Sequence, residues 1–309
     1  MEAFLELLKS IFLGVIQGVT EFLPISSSGH LAIFKQILGM EEIGNSFDIF
    51  LHIGTLAAVF ICYWRDIWKL FLEGIGILAD SFSNVVLFLR KLVWSLSRKT
   101  SDEKYNNVRY KRVINSAYRK FVMLVIVSTI PTGLIGFFGN DVIEMAGQNL
   151  LVPGICLLIT ATLLLISDNL PDGDKTPKKV SYANAIFVGI AQGIATLPGI
   201  SRSGTSITAE LVCGFRRDFA VKYSFIMSIP AIIGAAIFKI KGMGSEGLGT
   251  LDYVNYIVGA VVAGVVGYIC IKKMLDFVKG KKFKYFAYYC YVLGTICIVA
   301  FAYNVIKVN

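Results

Sequence analysis

Residues 14–30, GVIQGVTEFLPISSSGH, and residues 189–205, GIAQGIATLPGISRSGT, are two copies of one pattern. A single offset aligns them without a gap: 14 + 175 = 189, 17 + 175 = 192, 26 + 175 = 201 and 29 + 175 = 204. Each copy is an apolar run that ends at a proline-containing turn, passes through small, hydroxyl-rich residues and enters a new apolar run. The copies differ where chemistry would differ. Copy one holds Glu21, Ser27 and His30; copy two holds Thr196, Arg202 and Thr205 at the same places. A repeated backbone carrying complementary charges points to one site assembled from both.

The sequence around the two copies is greasy. Of 309 residues, 55% are hydrophobic and 17% charged, and the mean hydropathy is +0.67. Soluble domains carry about 25% charged residues, so this composition implies membrane spans. The net charge of +9 sits in loops between apolar runs, which is the positive-inside pattern and argues against nucleic acid as a partner. Six cysteines show neither CxxC nor zinc spacing and read as small apolar residues. The first residues, MEAFLE, lack a basic stretch and a small-residue cleavage site, so they do not read as a cleaved signal peptide.

Outward from copy one, residues 3–17 read as an apolar helix interrupted by Glu6 and Lys9, and 30–39 as a second short apolar piece. Each is shorter than the ~20 residues a spanning helix needs. With Pro24 and the serines between them, residues 3–40 read as a re-entrant helical hairpin, and 181–214 as a second one. Spans are expected at about 46–64, 121–138, 149–167, 219–238, 254–272 and 285–305. Between the first two lies a basic stretch, 65–119. It has amphipathic pieces at 67–78 and 85–96 and carries Arg98, Lys99, Lys104, Arg109, Lys111, Arg112, Arg119 and Lys120. It reads as a cytoplasmic surface element on anionic headgroups. The loop with Asp141 and Glu144 has no cation and belongs outside. The stretch 272–284, with six lysines, belongs inside. Counting back puts both termini outside.

The expected fold is an all-α polytopic membrane protein, with six transmembrane helices plus two re-entrant helical hairpins in an inverted-topology repeat. It is one membrane domain over 1–309, with repeat one at about 1–167 and repeat two at about 180–309. The inversion follows from arithmetic: three spans separate the hairpins, and three is odd, so the copies enter from opposite faces and meet near the midplane.

Arg202 lies deep in apolar sequence, where an Arg costs at least ~2.5–3.5 kcal/mol and needs a partner or a ligand. It reads either as half of a structural ion pair or as a bidentate clamp on phosphate. Ser201, Ser203 and Gly204 open a helix whose free N–H groups favour an anion; the serines also serve as plain caps. Gln17 and Glu21, at i and i+4, share a helix face. They hold a hard divalent cation, or Glu21 pairs with Arg202 and nothing more. His30 follows Ser-Ser-Ser-Gly, close to Glu21 in sequence. His52, inside the first span, reads as a satisfied core residue. Asp48 reads as a supporting carboxylate or an interfacial anchor.

Residues 17–30, QGVTEFLPISSSGH, resemble the (E/Q)xxxE and SSxGH signature of the undecaprenyl-diphosphate phosphatases, the bacitracin-resistance phosphatases. Residues 198–206, PGISRSGTS, resemble their PGxSRSGxT signature, and 223–235, YSFIMSIPAIIGA, are also similar to theirs. Two positions depart. Gln17 stands where Glu is common, which weakens a two-carboxylate metal site, and Ser206 stands where the pattern has Thr, which keeps the hydroxyl. Nothing transfers to 65–119.

The resemblance implies a multi-pass phosphatase of the bacterial cell membrane, dependent on a divalent cation, Mg²⁺ or Ca²⁺. It would convert undecaprenyl diphosphate to undecaprenyl phosphate, recycling the lipid carrier of peptidoglycan synthesis, with a cavity opening outward. Arg202 would hold the phosphates with Ser26, Ser28, Gly29, Ser201, Ser203, Gly204 and Ser206. Glu21, with Gln17, would hold the cation. Ser27 would be the nucleophile or its orienter, with His30 and Glu21 handling protons; direct attack by His30 through a phosphohistidine is the alternative. Partners are the lipid diphosphate and membrane lipids, not nucleic acid, and the sequence leaves a homodimer open. The rival reading is a transporter or flippase for a phosphorylated polyprenyl lipid, since transporters use inverted repeats.

Overall fold

A computed structural model describes residues 2–40, 45–96, 109–147, 149–243 and 249–308. Its helices run in order α1 (Glu2–Phe22), α2 (Ser27–Ile37), α3 (Asn45–Cys62), α4 (Trp64–Leu96), α5 (Ala117–Phe138), α6 (Asn140–Ala146), α7 (Leu151–Asn169), α8 (Tyr182–Ile194), α9 (Arg202–Val212), α10 (Arg217–Met243), α11 (Thr250–Lys279) and α12 (Lys284–Val308). Among the described residues, extended backbone pairs only in one parallel bridge, Lys175 with Phe215.

The distribution of side chains suits lipid rather than water. Apolar residues such as Phe12, Ile61, Phe138, Val261 and Val299 are exposed. Polar ones such as Gln17, Ser128, Thr160, Gln192 and Ser206 are buried, where each backbone and side-chain polar group needs an internal partner. Among the described residues, seven helices are long and apolar enough to cross a membrane: α1, α4, α5, α7, α10, α11 and α12. The chain is a multi-pass integral membrane protein.

Small residues set the helix crossings. A Cβ added at Gly14 of α1 would lie 2.5 Å from the Gly259 carbonyl oxygen of α11, and one at Gly18 would lie 2.7 Å from that of Ala263. Copy two repeats the device: Gly189 of α8 abuts the Ser128 carbonyl of α5, and Gly193 abuts Ile135. Both pairs are small-xxx-small stripes that let helix backbones approach in the absence of a water-driven force. Each hairpin thus leans its first helix on a helix of the other half. Leu124, Leu157, Leu164, Ile207, Tyr223 and Met227, from α5, α7, α9 and α10, fill the core between.

Expected and observed elements differ in three places. The helix expected at 3–17 and read as too short to span runs to Phe22 and is long enough to cross; Glu6 and Lys9 do not interrupt it but pair across one turn at 2.9 Å. The span at 46–64 is the shorter helix α3. The amphipathic pieces at 67–78 and 85–96 are one helix, α4, of 33 residues. Its acidic residues recur every seventh position and are met by the segment that follows. Asp66 receives Tyr118 at 2.9 Å and Lys222 at 2.9 Å. Glu73 receives Ser116 at 3.0 Å and Arg119 at 2.9 Å. Asp80 receives Arg119 at 2.7 Å and Lys111 at 3.1 Å. The other face of α4, with Trp68, Phe71, Leu78, Phe82 and Phe88, is exposed. The expected cations Arg98, Lys99 and Lys104 lie outside the described residues.

The polar turn before α8 is tied to α10 and α11. Arg217, buried, donates to Asp172 at 2.7 Å and to the Leu170 carbonyl at 3.0 Å. That guanidinium holds the Asp172 carboxyl below its usual range.

Candidate functional site

The turns after α1 and α8 face each other. A Cβ on Gly29 would meet the Gly199 Cα at 3.4 Å, and one on Gly204 would meet the Pro24 Cβ at 3.1 Å. Since 24 + 175 = 199 and 29 + 175 = 204, these are one contact seen twice. Residue i meets j of the other copy, and j meets i, which is the signature of a local two-fold axis. The two helices that open at this axis, α2 and α9, are capped alike. Ser26 Oγ accepts the Gly29 N–H at 3.4 Å and Ser201 Oγ accepts that of Gly204 at 3.1 Å.

The axis brings the charges together. Arg202, the first residue of α9, donates from Nη2 to Glu21 Oε1. Ser27, the first residue of α2, donates to Glu21 Oε2 at 2.6 Å, and Gln17 Nε2 donates to the same oxygen at 3.1 Å. The Glu21 side chain is 3% exposed and that of Arg202 22%, so the guanidinium is the side of the pair that meets the outside. Glu21, Phe22, Arg202, Ser203, Ser224, Phe225 and Ser228 line a narrow cleft there. A hydroxyl held by a buried carboxylate, beside a guanidinium and two capped helix N-termini, is built to take an anion and to move a proton.

Comparison with known proteins gives the family. The family model for bacitracin resistance protein BacA matches residues 10–296. The chain belongs to the BacA family. It is 40% identical to an undecaprenyl-diphosphatase of Methanosphaera stadtmanae, over 96% of this chain and 98% of that one. Against the undecaprenyl-diphosphatase of Alkaliphilus metalliredigens the identity is 38%, over 94% and 97%. Against that of Halothermothrix orenii it is 37%, over 96% and 98%.

Within this family member, the residues singled out in the sequence fall into two groups. Glu21, Arg202 and Ser203 line the cleft, and Gln17 and Ser27 join them through their hydrogen bonds to Glu21. Ser26 and Ser201 spend their hydroxyls as caps, and Ser28 and Ser203 lie 3.4 Å from them. Ser206 is fully buried and bonds the Arg202 carbonyl at 2.8 Å and Ser224 Oγ at 2.6 Å, so it fixes α9 on α10. His30 turns away from Glu21: its Nδ1 lies 2.7 Å from the Ser26 carbonyl and its Nε2 2.7 Å from the Tyr289 hydroxyl. Asp48 pairs with Lys35 at 2.6 Å.

Three residues in the cleft or beside Glu21 were not legible as such. His52, read as core, is 32% exposed and puts Nε2 3.9 Å from Glu21 Oε2, while its Nδ1 meets the Asp48 carbonyl at 2.7 Å. Ser224 and Ser228 of α10 carry no motif; their one signal was the similarity of 223–235.

Among the described residues, no three His, Cys, Asp or Glu side chains are grouped to hold a metal. Gln17 Oε1 is nevertheless buried and hydrogen-bonded to nothing, one turn from Glu21. One carboxylate and one amide oxygen suit a hard cation that keeps waters and takes the rest of its oxygens from phosphate.

Proposed function

We propose that this chain hydrolyses undecaprenyl diphosphate to undecaprenyl phosphate and inorganic phosphate, recycling the lipid carrier of cell-wall synthesis and conferring bacitracin resistance. One observation carries the chemistry: Ser27 donates to a carboxylate whose other oxygen is held by Arg202. The lipid tail stays in the bilayer and the diphosphate enters the cleft. Arg202 exchanges Glu21 for phosphate oxygens, helped by the N-terminal N–H groups of α2 and α9. Glu21, released from its counter-charge, takes the Ser27 proton. Ser27 Oγ attacks the terminal phosphorus, the bridging P–O bond breaks, and undecaprenyl phosphate leaves with the bond's electron pair. Glu21 passes the Ser27 proton to the departing phosphate and then takes one from water; the water oxygen attacks the phosphoserine, the P–Oγ bond breaks, Ser27 Oγ recovers a proton from Glu21, and inorganic phosphate departs. Phosphoryl transfer asks mainly for positioning and charge neutralisation, which Arg202 supplies. A divalent cation, Mg²⁺ or Ca²⁺, held by Glu21 and Gln17, would add charge neutralisation on the phosphate.

The same reading sets the topology. The hairpins enter from opposite faces if α3, α5 and α7 cross and α4 does not. The 33 residues of α4 measure about 50 Å, well beyond a ~30 Å hydrocarbon core. Its acidic stripe is neutralised by Arg119 and Lys111 at Glu73 and Asp80 and by Lys222, near the start of α10, at Asp66. It therefore lies along the surface, with its apolar face in the lipid.

The test is release of inorganic phosphate by purified protein from undecaprenyl diphosphate in detergent, with and without EDTA. Phosphate release that EDTA stops and Mg²⁺ restores is expected. Release that survives EDTA removes the cation. No release, with lipid moved across vesicles, would make the chain a flippase.

A further inference from the structure

We propose that Tyr289 is a positioning residue for this reaction: its phenol holds the His30 ring, and the ring holds the Ser26 carbonyl, so that the turn presents Ser27 to Glu21. The inference rests on Ser27 as nucleophile and goes beyond it.

Ser26 has φ 70 and ψ 99. Lys281 is its sole non-glycine companion at positive φ among the described residues, and such a conformation persists only where its surroundings impose it. The motif itself does not impose it. Ser201, at the same place in copy two, caps its helix with an ordinary φ of −72. The difference lies in what holds the carbonyl. The Ser201 carbonyl accepts the Thr205 N–H at 2.9 Å, and the Thr205 hydroxyl, buried, bonds nothing. The Ser26 carbonyl accepts the His30 N–H at 3.3 Å and also His30 Nδ1–H at 2.7 Å.

A carbonyl only accepts, so Nδ1 carries the proton and Nε2 the lone pair. The Tyr289 hydroxyl then donates to Nε2 at 2.7 Å. The two rings lie 14° from parallel with centroids 5.6 Å apart, and His30 is 2% exposed. Both nitrogens are committed, one to the turn and one to α12. His30 is thus a strut that bends the chain just before Ser27, locked in one tautomer by a residue 259 positions away. It is neither the attacking group nor the carrier of the reaction's proton.

The test is a mutant cycle in the phosphate-release assay. Tyr289→Phe keeps the ring and should lower kcat about tenfold, with KM within about twofold, the size expected for one lost hydrogen bond. His30→Asn keeps an N–H at the Nδ1 position and should retain turnover within about tenfold of wild type, whereas His30→Ala should abolish it. Tyr289→Phe should cost nothing further in the His30→Asn background. A readout apart from activity uses the small histidine count of 2. In a His52→Asn background, ¹⁵N-labelled His30 should show the Nδ1–H tautomer, moving toward Nε2–H when Tyr289 is Phe. His30→Asn as inactive as His30→Ala, full kcat in Tyr289→Phe, or an undiminished Tyr289→Phe effect in the Asn background would each overturn the strut. Failure of the parent reading looks different: wild type releases no phosphate, or Ser27→Ala keeps its turnover.

Discussion

At the scale of single residues, the site turns on the fact that Glu21 has two oxygens and three donors. Arg202 takes one oxygen; Ser27 and Gln17 share the other. In the mechanism proposed above, Glu21 is a brake on the guanidinium at rest and a base for Ser27 once phosphate displaces it. Ser27→Ala leaves the Glu21–Arg202 pair in place. It should therefore leave the melting temperature unchanged while lowering phosphate release by at least about 10³-fold, as loss of a nucleophile does. Measurable turnover in this variant would shift the attack to water or to His30. The convergence of Glu21 and Arg202 was legible in the sequence, because a constant offset of 175 overlays one on the turn that carries the other. The orientation of His30 and the approach of His52 were not. Proximity in sequence placed His30 near Glu21, but ring direction is decided by Tyr289 of α12 and by the bend at Ser26. His52 reaches Glu21 through the packing of α3, which no local pattern records.

At the scale of elements, close helix crossings do what a water-driven core does in soluble proteins. Gly54 of α3 sits against the Ala260 carbonyl of α11 with no room for a Cβ, whereas a Cβ at Gly133 of α5 meets nothing within 4 Å. Gly54→Ala should therefore cost about 1–3 kcal/mol by overpacking, read as a lower melting temperature in detergent, and Gly133→Ala should not. Equal melting of the two variants would mean that this crossing yields freely. The path of α4 is open to a second measurement. In a cysteine-free background, Arg65→Cys and Ser95→Cys, at its two exposed ends, should react with an impermeant maleimide from the same side of a vesicle. Labelling from opposite sides would make α4 a span and would put both hairpins on one face. The amphipathic pieces of this region were visible in the sequence; their fusion was not, because Asp80, Ser81, Ser83 and Asn84 between them resemble a break until Arg119 and Lys111 meet Asp80 and Asn84.

At the scale of the molecule, a local two-fold relates two turns that differ in charge and, at Ser26 against Ser201, in backbone. The halves use the same close approaches where they pack: Gly14 on Gly259 answers Gly189 on Ser128, and Gly29 on Gly199 answers Gly204 on Pro24. They diverge where they react, with Ser27 opposite Arg202 and His30 opposite Thr205. The repeat and the helical class were legible because both are properties of pattern. The swapped packing, each hairpin on the other half's helix, was not, because it depends on distant pairings such as Gly14 with Gly259 and Gly189 with Ser128, which no local pattern records. One measurement bears most directly on the claim that the halves form a single phosphate site: phosphate release by Arg202→Lys beside wild type. Lysine keeps the charge facing Glu21, so the fold should hold, but it loses the planar fork. Turnover should fall by at least about tenfold at an unchanged melting temperature. Wild-type turnover in Arg202→Lys would show that copy two contributes only a charge that balances Glu21, and that the diphosphate is held elsewhere.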